Sequence, residues 1–482
     1  MSTVTELKSS STDEILADLE RATVGRRLWE VAASLHEAGA NVVLVGGAVR
    51  DGLLGVPIKD VDVEVFGIQP DRLKDVLGRF GEVLSVGQAF GVFLIRGLAV
   101  DFSLPRKDSK VAPGHRGFEV EVDPSLSFDR ASSRRDLTIN SMGIDLFTKE
   151  LLDPHAGRAD LEAGILRATD PGSFGEDPLR GLRVAQMAAR FCMTVDAVLL
   201  QLCESLDLSE LPGERLHEEF RKLLLKGREP SRGLWFLRET RLLRHFPELE
   251  ALIDVPQDPS WHPEGDVWIH TLMALDRAAR LREAKNGEYG EYGEDEAMMF
   301  AVLCHDFGKP GVTSEIDGRI RSRAHDQLGI APTRSFLERL RVSAELTEKT
   351  VALVEHHLAP AQLIEQGATP RAYRRLSRKL ARAGVSLQLL ERVARADHLG
   401  RTTEEAMQDR FPSGDAFLAQ ADVLEIATEG PKDVVLGRHL IARGYEPSPD
   451  FAAILERCRE IQDETGLTDP AAILDRVLGQ SA

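Results

Sequence analysis

Apolar positions recur at helical spacing over residues 13–39, from Asp13 through Leu35 to a stop at Gly39. NVVLVGG (41–47) breaks that rhythm. It is a short apolar run ending in paired glycines, the pattern of a strand entering a tight turn. AVRDGLLG (48–55) should open a helix, and DRLKDVLGRF (71–80) reads as an amphipathic helix between β-rich VDVEVFG (61–67) and VFLIRGLAVDFSL (92–104). The alternation continues to about Arg167 and predicts a mixed sheet flanked by helices.

From Asp170 the pattern changes. DPLRGLRVAQMAARF (177–191), ERLHEEFRKLLLKG (214–227) and SRGLWFLRETRLLRHF (231–246) carry apolar residues three and four apart, so the rest of the chain is expected to be almost entirely helical. NGEYGEYGEDE (286–296) reads as an exposed loop and VPQDPSWHPEGD (255–266) as a domain seam. No 20–50-residue period signals a solenoid. The expectation is an α+β protein: a helical extension over 1–40, a mixed-sheet head over 41–167, a helical neck and body over 168–260, a further helical domain over 261–400 and a C-terminal helical region over 401–482.

Composition narrows the class. Hydrophobic residues at 43% and charged residues at 29% of 482 exclude a wholly disordered chain. No apolar run approaches the roughly 20 residues a membrane helix needs, and MSTVTELKSSSTDEILADLE lacks the basic start and apolar core of a signal peptide. A cytoplasmic protein is expected, with no membrane partner. Lys and Arg number 60 against 78 acids, a net charge of −18. That sign opposes a duplex-coating protein but suits a site that uses metal cations to gather anions. The four cysteines (Cys192, Cys203, Cys304, Cys458) form no CxxC pair and should be reduced, mostly buried thiols.

LVGGAVRDGLLGVPIKDVDVEVFG (44–67) holds the densest chemistry. Gly46 and Gly47 leave backbone N–H groups uncovered where a phosphate can sit, and Arg50 lies a turn further on. Asp60 and Asp62, two apart, share one face of a strand and offer the hard oxygen ligands Mg²⁺ takes when it shares a substrate's phosphates. A lone DxD is usually a solvated strand end, and a lone GG is weaker still. The ordered set of GG, RD and DxD is far more specific, and it resembles the signature of the DNA polymerase β nucleotidyltransferase superfamily.

Further motifs narrow the resemblance. SSRRDLTINSM (132–142), DPHAGRADL (153–161) and EDPLRGLR (176–183) resemble the RRD, DxxxGxxDL and EDxxR elements of class II tRNA nucleotidyltransferases and bacterial poly(A) polymerases. WHPEGDVWIHTLM (261–273) with LCHDFGKP (303–310) is similar to the HD-domain subgroup of bacterial CCA-adding enzymes. The likeness runs from about Asn41 to about Arg401. VGQAFGVFLIRG (86–97) replaces the GRRFRLAHV-like segment of the poly(A) polymerases and points to CCA addition; SLPRKDSKVAPGHRGFE (103–119) falls where the family keeps a loop needed to switch from CTP to ATP.

The resemblance implies roles. Asp60 and Asp62 would hold two Mg²⁺ ions; Gly46, Gly47 and Arg50 the triphosphate; Arg135 and Asp136 the phosphate and ribose. Asp101, in AVDFS, could be a third carboxylate, with a structural role at least as credible. EDPLRGLR should lie on a helix, so that Asp177, Arg180 and Arg183 share a face and read the Watson–Crick edge of C or A; standing alone, the segment would read as a surface salt-bridge ladder.

His270, the pair His305–Asp306 and Asp397 follow the H…HD…D order of HD phosphohydrolases, with His325 and His357 as additional candidates for metal or phosphate. Such a donor set suits Ni²⁺, Mn²⁺, Co²⁺ or Fe²⁺. The family implies 2′,3′-cyclic phosphodiesterase, 2′-nucleotidase and phosphatase activities beside CCA addition. The partners expected are the tRNA acceptor end, CTP and ATP, with the protein a monomer or homodimer. RAYRRLSRKLARAG (371–384) could follow the acceptor backbone or be a solvated face, and residues 429–450 suggest a small appended helical unit. Two alternatives remain open: a poly(A) polymerase or A-only enzyme, and an HD phosphohydrolase whose transferase half only binds RNA.

Overall fold

The computed structural model describes residues 11–21, 25–86, 91–110, 118–283 and 293–479. The stretch before residue 11, the centre of the 103–119 loop and most of the 286–296 loop lie outside the described residues, as do residues 87–90 within 86–97. Compactness divides the chain into two units: 1–212 with 236–245, and 213–235 with 246–482. The boundaries expected at 167/168, 260/261 and 400/401 therefore fall inside units.

The first unit is built on a seven-stranded mixed sheet. Its strands are β1 (Asn41–Val45), β2 (Val61–Phe66), β3 (Val83–Val86), β4 (Val92–Ile95) and β5 (Val100–Ser103). After a separate hairpin of β6 (Arg106–Lys110) and β7 (Phe118–Val122) come β8 (Gly143–Asp145) and β9 (Leu151–Leu152). The order is β3-β4-β5-β2-β1-β8-β9, and among the described residues of this sheet only β2 and β5 pair in parallel. β1 is a continuous Val-Val-Leu-Val run because both its faces are covered. Helix Gly25–Glu37 buries Leu28, Val31, Ala32 and Leu35, at helical spacing, and packs on β1 and on helix Pro70–Leu77. The N-terminal helices thus belong to the sheet's own core.

Helix Arg180–Phe191 follows, and its unit also contains the short parallel pair β10 (Ile165–Leu166) and β11 (Thr194–Val195). In the second unit, helices Val267–Leu281, Gly293–Cys304, Ala344–His356 and Leu387–Leu399 pack on one another. Every residue from Ala297 to Cys304 is buried, which explains an apolar run with almost no amphipathic bias.

The second half is almost entirely helical, as expected, and β12 (Thr313–Ile316) and β13 (Arg319–Ser322) add an antiparallel hairpin to it. One expectation needs correction: the acidic end of 286–296, Gly293–Glu296, opens a helix, where first-turn acids oppose the helix dipole favourably. Residues 255–266 lie within the second unit, and Gln257 is tied in by Lys309 Nζ at 2.7 Å. None of the four cysteines forms a disulfide, and burial pushes the Cys203 thiol up to about 12. No described helix is long and apolar enough to cross a membrane.

Candidate functional site

The chemistry of the first unit gathers at one end of β1, β2 and β5. Antiparallel pairing sets Val45 opposite Asp62, which brings Gly46 beside the start of β2. Parallel pairing sets Asp62 opposite Asp101. Exposed Asp60 just precedes β2, and its charge acts on both. Burial, then the neighbouring carboxylates, push Asp62 up against the opposing pull of Arg135; burial and Asp60 push Asp101 up. Three carboxylates gathered at one sheet end form a pocket of negative charge that a divalent cation would relieve.

Gly46 makes the turn at φ 73°. A Cβ there would meet Arg135 Nη1 at 2.8 Å and Asp62 Oδ2 at 3.9 Å, so the backbone approaches both groups closely. Arg135 is held from below by Glu64, 1% exposed and 3.7 Å away, which also pairs with Arg134 at 3.8 Å. Glu64 was not among the sequence candidates, although it continues the period-two face of Asp60 and Asp62.

Arg50 is buried behind the glycine turn. Its Nη2 lies 3.4 Å from where a Gly47 Cβ would stand, but its guanidinium already donates to Asp51 and to Asn140 Oδ1. Asn140 donates on to Asp136 Oδ1 at 3.0 Å, and Arg183 Nε reaches Asp136 Oδ2 at 2.6 Å. Burial would raise Asp136, but Arg183, Asn140 and the Leu137 N–H together bring it down to about 2. Asp136 is thus the keystone of a buried ionic network that carries Arg50 and Arg183.

Asp177 requires a correction. It is extended (φ −113°, ψ 104°) and precedes the helix, which starts at Arg180, so the three-residue face over 177–183 does not form. Pro178 disfavours a helical Asp177, whose Oδ1 instead accepts the Leu179 N–H at 3.1 Å. Arg180 and Arg183 do sit on the helix, three apart. Arg180 is steadied by the carbonyls of Ser173 (3.0 Å) and Arg134 (2.8 Å).

In the second unit, His270, His305, Asp306, His325, His357 and Asp397 all converge. His305 Nδ1 bonds the Val302 carbonyl (2.8 Å), His325 Nδ1 that of Ser322 (2.8 Å) and His357 Nδ1 that of Val354 (2.7 Å). Each ring is thereby clamped by a carbonyl three residues earlier, and its Nε2 is turned inward. His270 Nε2 lies 3.0 Å from Asp397 and 3.4 Å from His305 Nε2. Asp306 lies 3.2 Å from His305 and 3.5 Å from His325. Ligand atoms of His270, His305 and Asp306, and of Asp306, His325 and His357, lie within 4.8 Å of one another.

Buried His357 Nε2 has no partner, and neither Asp306 oxygen receives a well-aligned hydrogen bond, although Lys309 Nζ stands 2.8 Å away. Orphaned nitrogen and oxygen donors fit a divalent transition metal. Burial keeps His357 neutral, down to about 3, while Asp306 stays ionised beside His305 and Lys309 despite its burial. Gly308 permits the tight seating: a Cβ there would fall 2.0 Å from the His325 carbonyl oxygen.

Sequence reasoning missed the groups around this cluster. Glu264 Oε1 receives both His270 Nδ1 (2.8 Å) and His262 Nδ1 (2.9 Å). A recess of about 250 Å³ opens alongside, lined by Trp261, His262, Lys309, Ile320, His325 and Arg401 among others. The basic helix Pro370–Arg382 belongs elsewhere. Arg378 and Arg371 pair with Asp463 and Glu464 of helix Asp450–Thr465, Arg378 also with Asp433, and Lys379 with Glu355 of helix Ala344–His356, so much of its charge is engaged within the protein.

Residues 42–167 match the Poly A polymerase head domain family, and 199–253 the probable RNA and SrmB-binding site of polymerase A. The chain is 37% identical over 376 residues to the multifunctional CCA protein of Laribacter hongkongensis, covering 77% of this chain and 87% of the relative. Against the Hahella chejuensis protein of the same name it is 35% identical over 410 residues, covering 83% and 90%. In fold it is similar to the Bacillus stearothermophilus CCA-adding enzyme in complex with CTP (TM-score 0.64, 20% identity, 95% of this chain and 99% of that one). It is similar also to the Thermotoga maritima enzyme complexed with tRNA (TM-score 0.60, 18% identity, 98% and 99%). Alike over most of its length to these relatives and sharing their fold, the chain belongs to the bacterial CCA-adding tRNA nucleotidyltransferases called multifunctional CCA proteins.

Proposed function

We propose that the protein is a cytoplasmic, template-independent nucleotidyltransferase that completes the CCA end of tRNA from CTP and ATP, and that its second unit is a metal-dependent HD phosphohydrolase acting on phosphorylated RNA 3′ ends. The observation that carries the transferase reading is the meeting of Asp60, Asp62 and Asp101 with Gly46 and Arg135 at one sheet end.

Enzymes of this superfamily use divalent metal. Asp60, Asp62 and Asp101 would hold Mg²⁺, which supplies charge against the triphosphate and acidifies the attacking 3′-hydroxyl. Arg135, set over Gly46 and braced by Glu64, meets the phosphates, which the missing Gly46 side chain lets approach. The buried Arg50–Asn140–Asp136–Arg183 chain keeps the glycine turn and the helix start in register. Asp177 and Arg180, at the head of that helix, present an acceptor and donors to the base edge.

In the second unit, His270, His305, Asp306 and Asp397 would hold the metal, with His325 and His357 completing the donor set. Such a metal would supply Lewis acidity toward a phosphoryl oxygen and an attacking water. Lys309 and Arg401 line the recess and neutralise the phosphate, while His305, His325 and His357 need no reorientation to bind.

The test is incubation with tRNA ending at the discriminator base, with CTP and ATP together and separately, and sequencing of the product end. CCA ends are expected; polymer growth on ATP alone would establish the poly(A) alternative. Loss of every activity in wild type but retention of tRNA binding would sink the transferase reading.

A further inference from the structure

The recess beside the histidine cluster has a mouth the chemistry above does not use. Trp261, at 60% exposure, projects from the 255–266 loop into its lining. Its exposed indole offers a flat π-face on which a base can stack. Opposite in the lining stand Ile320 and Ser322 of β13.

Strand alternation then dictates the other face of that hairpin. With Ile320 and Ser322 turned to the recess, Arg319 and Arg321 point the opposite way, and Arg323 follows directly. Arg319 feels the charge of Asp258, whereas Arg321 and Arg323 form no ion pair among the described residues. In a chain of net charge −18 whose other arginines are widely paired, this is an unclaimed cationic strip. The hairpin is no loose flap: Thr313 and Ser322 hydroxyls join at 2.7 Å, and the Ser322 carbonyl holds His325.

We infer that Trp261 and the Thr313–Ser322 hairpin form a subsite for a single-stranded RNA 3′ end, with the terminal base stacked on Trp261, its phosphate inside the recess and the preceding phosphates along Arg319, Arg321 and Arg323. The recess, at about 250 Å³, is small beside an oligonucleotide, so the strand upstream of the terminal nucleotide would leave over its rim. An aromatic platform next to a cationic track is the arrangement by which proteins bind unpaired strands. This rests on the hydrolase reading and names the residues by which that site would favour an RNA end over a free phosphomonoester.

The full-length protein is mixed with an oligoribonucleotide of about four nucleotides carrying a 2′,3′-cyclic phosphate and a photoreactive terminal base. Crosslinks are expected at residues 258–262 and 319–323, mapped by mass spectrometry. In parallel, anisotropy should show Trp261→Ala weakening binding about tenfold, with Trp261→Tyr restoring most of it. The Arg319→Ala/Arg321→Ala variant should flatten the salt dependence by about 0.7 for each phosphate that is no longer neutralised. Crosslinks confined to residues 41–212, or binding unmoved by both sets of substitutions, would overturn the inference. Neither readout requires turnover. Failure to hydrolyse any phosphate after metal loading would remove the hydrolase reading while leaving these binding results standing.

Discussion

Asp62 and Asp101 stand side by side because β2 and β5 pair in parallel in the head sheet, and their register places the two carboxylates opposite each other. Asp101 thus faces the same sheet end as Asp62, although it is the more exposed of the two. Asp101→Asn should lower nucleotide incorporation on CCA-less tRNA on the order of 10²–10³-fold, the loss also expected of Asp62→Asn, with circular dichroism unchanged. Wild-type incorporation by Asp101→Asn across a Mg²⁺ titration would return that residue to a structural role.

Gly46→Ala faces two obstacles at once: a left-handed φ of 73° and the Arg135 guanidinium 2.8 Å from the new Cβ. A stability loss of about 1–3 kcal/mol is expected, with a rise in KM for nucleotide as Arg135 is displaced. Unchanged melting and KM would show that the turn is not built as described.

Asp136 supplies the pH test. Its folded pKa of about 2 lies below the usual carboxylate value of 3.8. The unfolded chain therefore takes up the proton first as pH falls. The stabilisation is full above about pH 4 and disappears as pH approaches 2; the shift corresponds to roughly 2 kcal/mol. Urea midpoints of wild type and Asp136→Asn should differ most at neutral pH and converge in acid. A constant difference across that window would remove Asp136 from the ionic network.

How much of this was legible in advance follows from what each signal needs. Asp60 and Asp62 lie two apart, and His305–Asp306 are adjacent, so local spacing exposes them. Asp101 read equally well as a third carboxylate or a structural residue, and only the parallel register of β2 and β5, which no local pattern encodes, sets it opposite Asp62. Glu264 lies in a loop six residues before His270, outside any helical repeat, and only folding brings its carboxylate under that ring. Arg50 read as a free phosphate ligand because its partner Asn140 is ninety positions away in the chain. Asp177 read as helical because its spacing to Arg180 fits, whereas Pro178 decides otherwise.

Glu264 should act through His270. By accepting from Nδ1 it turns Nε2 toward the cluster, and burial is outweighed by His262 and His270 in holding its carboxyl well below the ordinary range. Glu264→Gln is expected to weaken retention of Ni²⁺ or Mn²⁺ about 10–100-fold, measured as metal per chain after dialysis. Equal retention would show that His270 orients itself without help.

Arg378 bonds Asp463 at 2.9 Å and also pairs with Asp433, joining helix Pro370–Arg382 to the C-terminal helices. Arg378→Ala should cost those helices about 3 kcal/mol locally, seen as faster proteolysis near residues 430–450, with tRNA affinity intact. Weaker tRNA binding without a change in proteolysis would reinstate the helix as an RNA contact.

The imidazoles of His305, His325 and His357 are aimed by their own main chain, so their directions are settled during folding and before any ion arrives. Loading is then an exchange on a rigid scaffold: the apoprotein should refold, empty and refill reversibly. If the site carries the metal proposed for it, the fixed imidazoles leave ion size, ligand preference and cellular supply to decide which suitable cation is held.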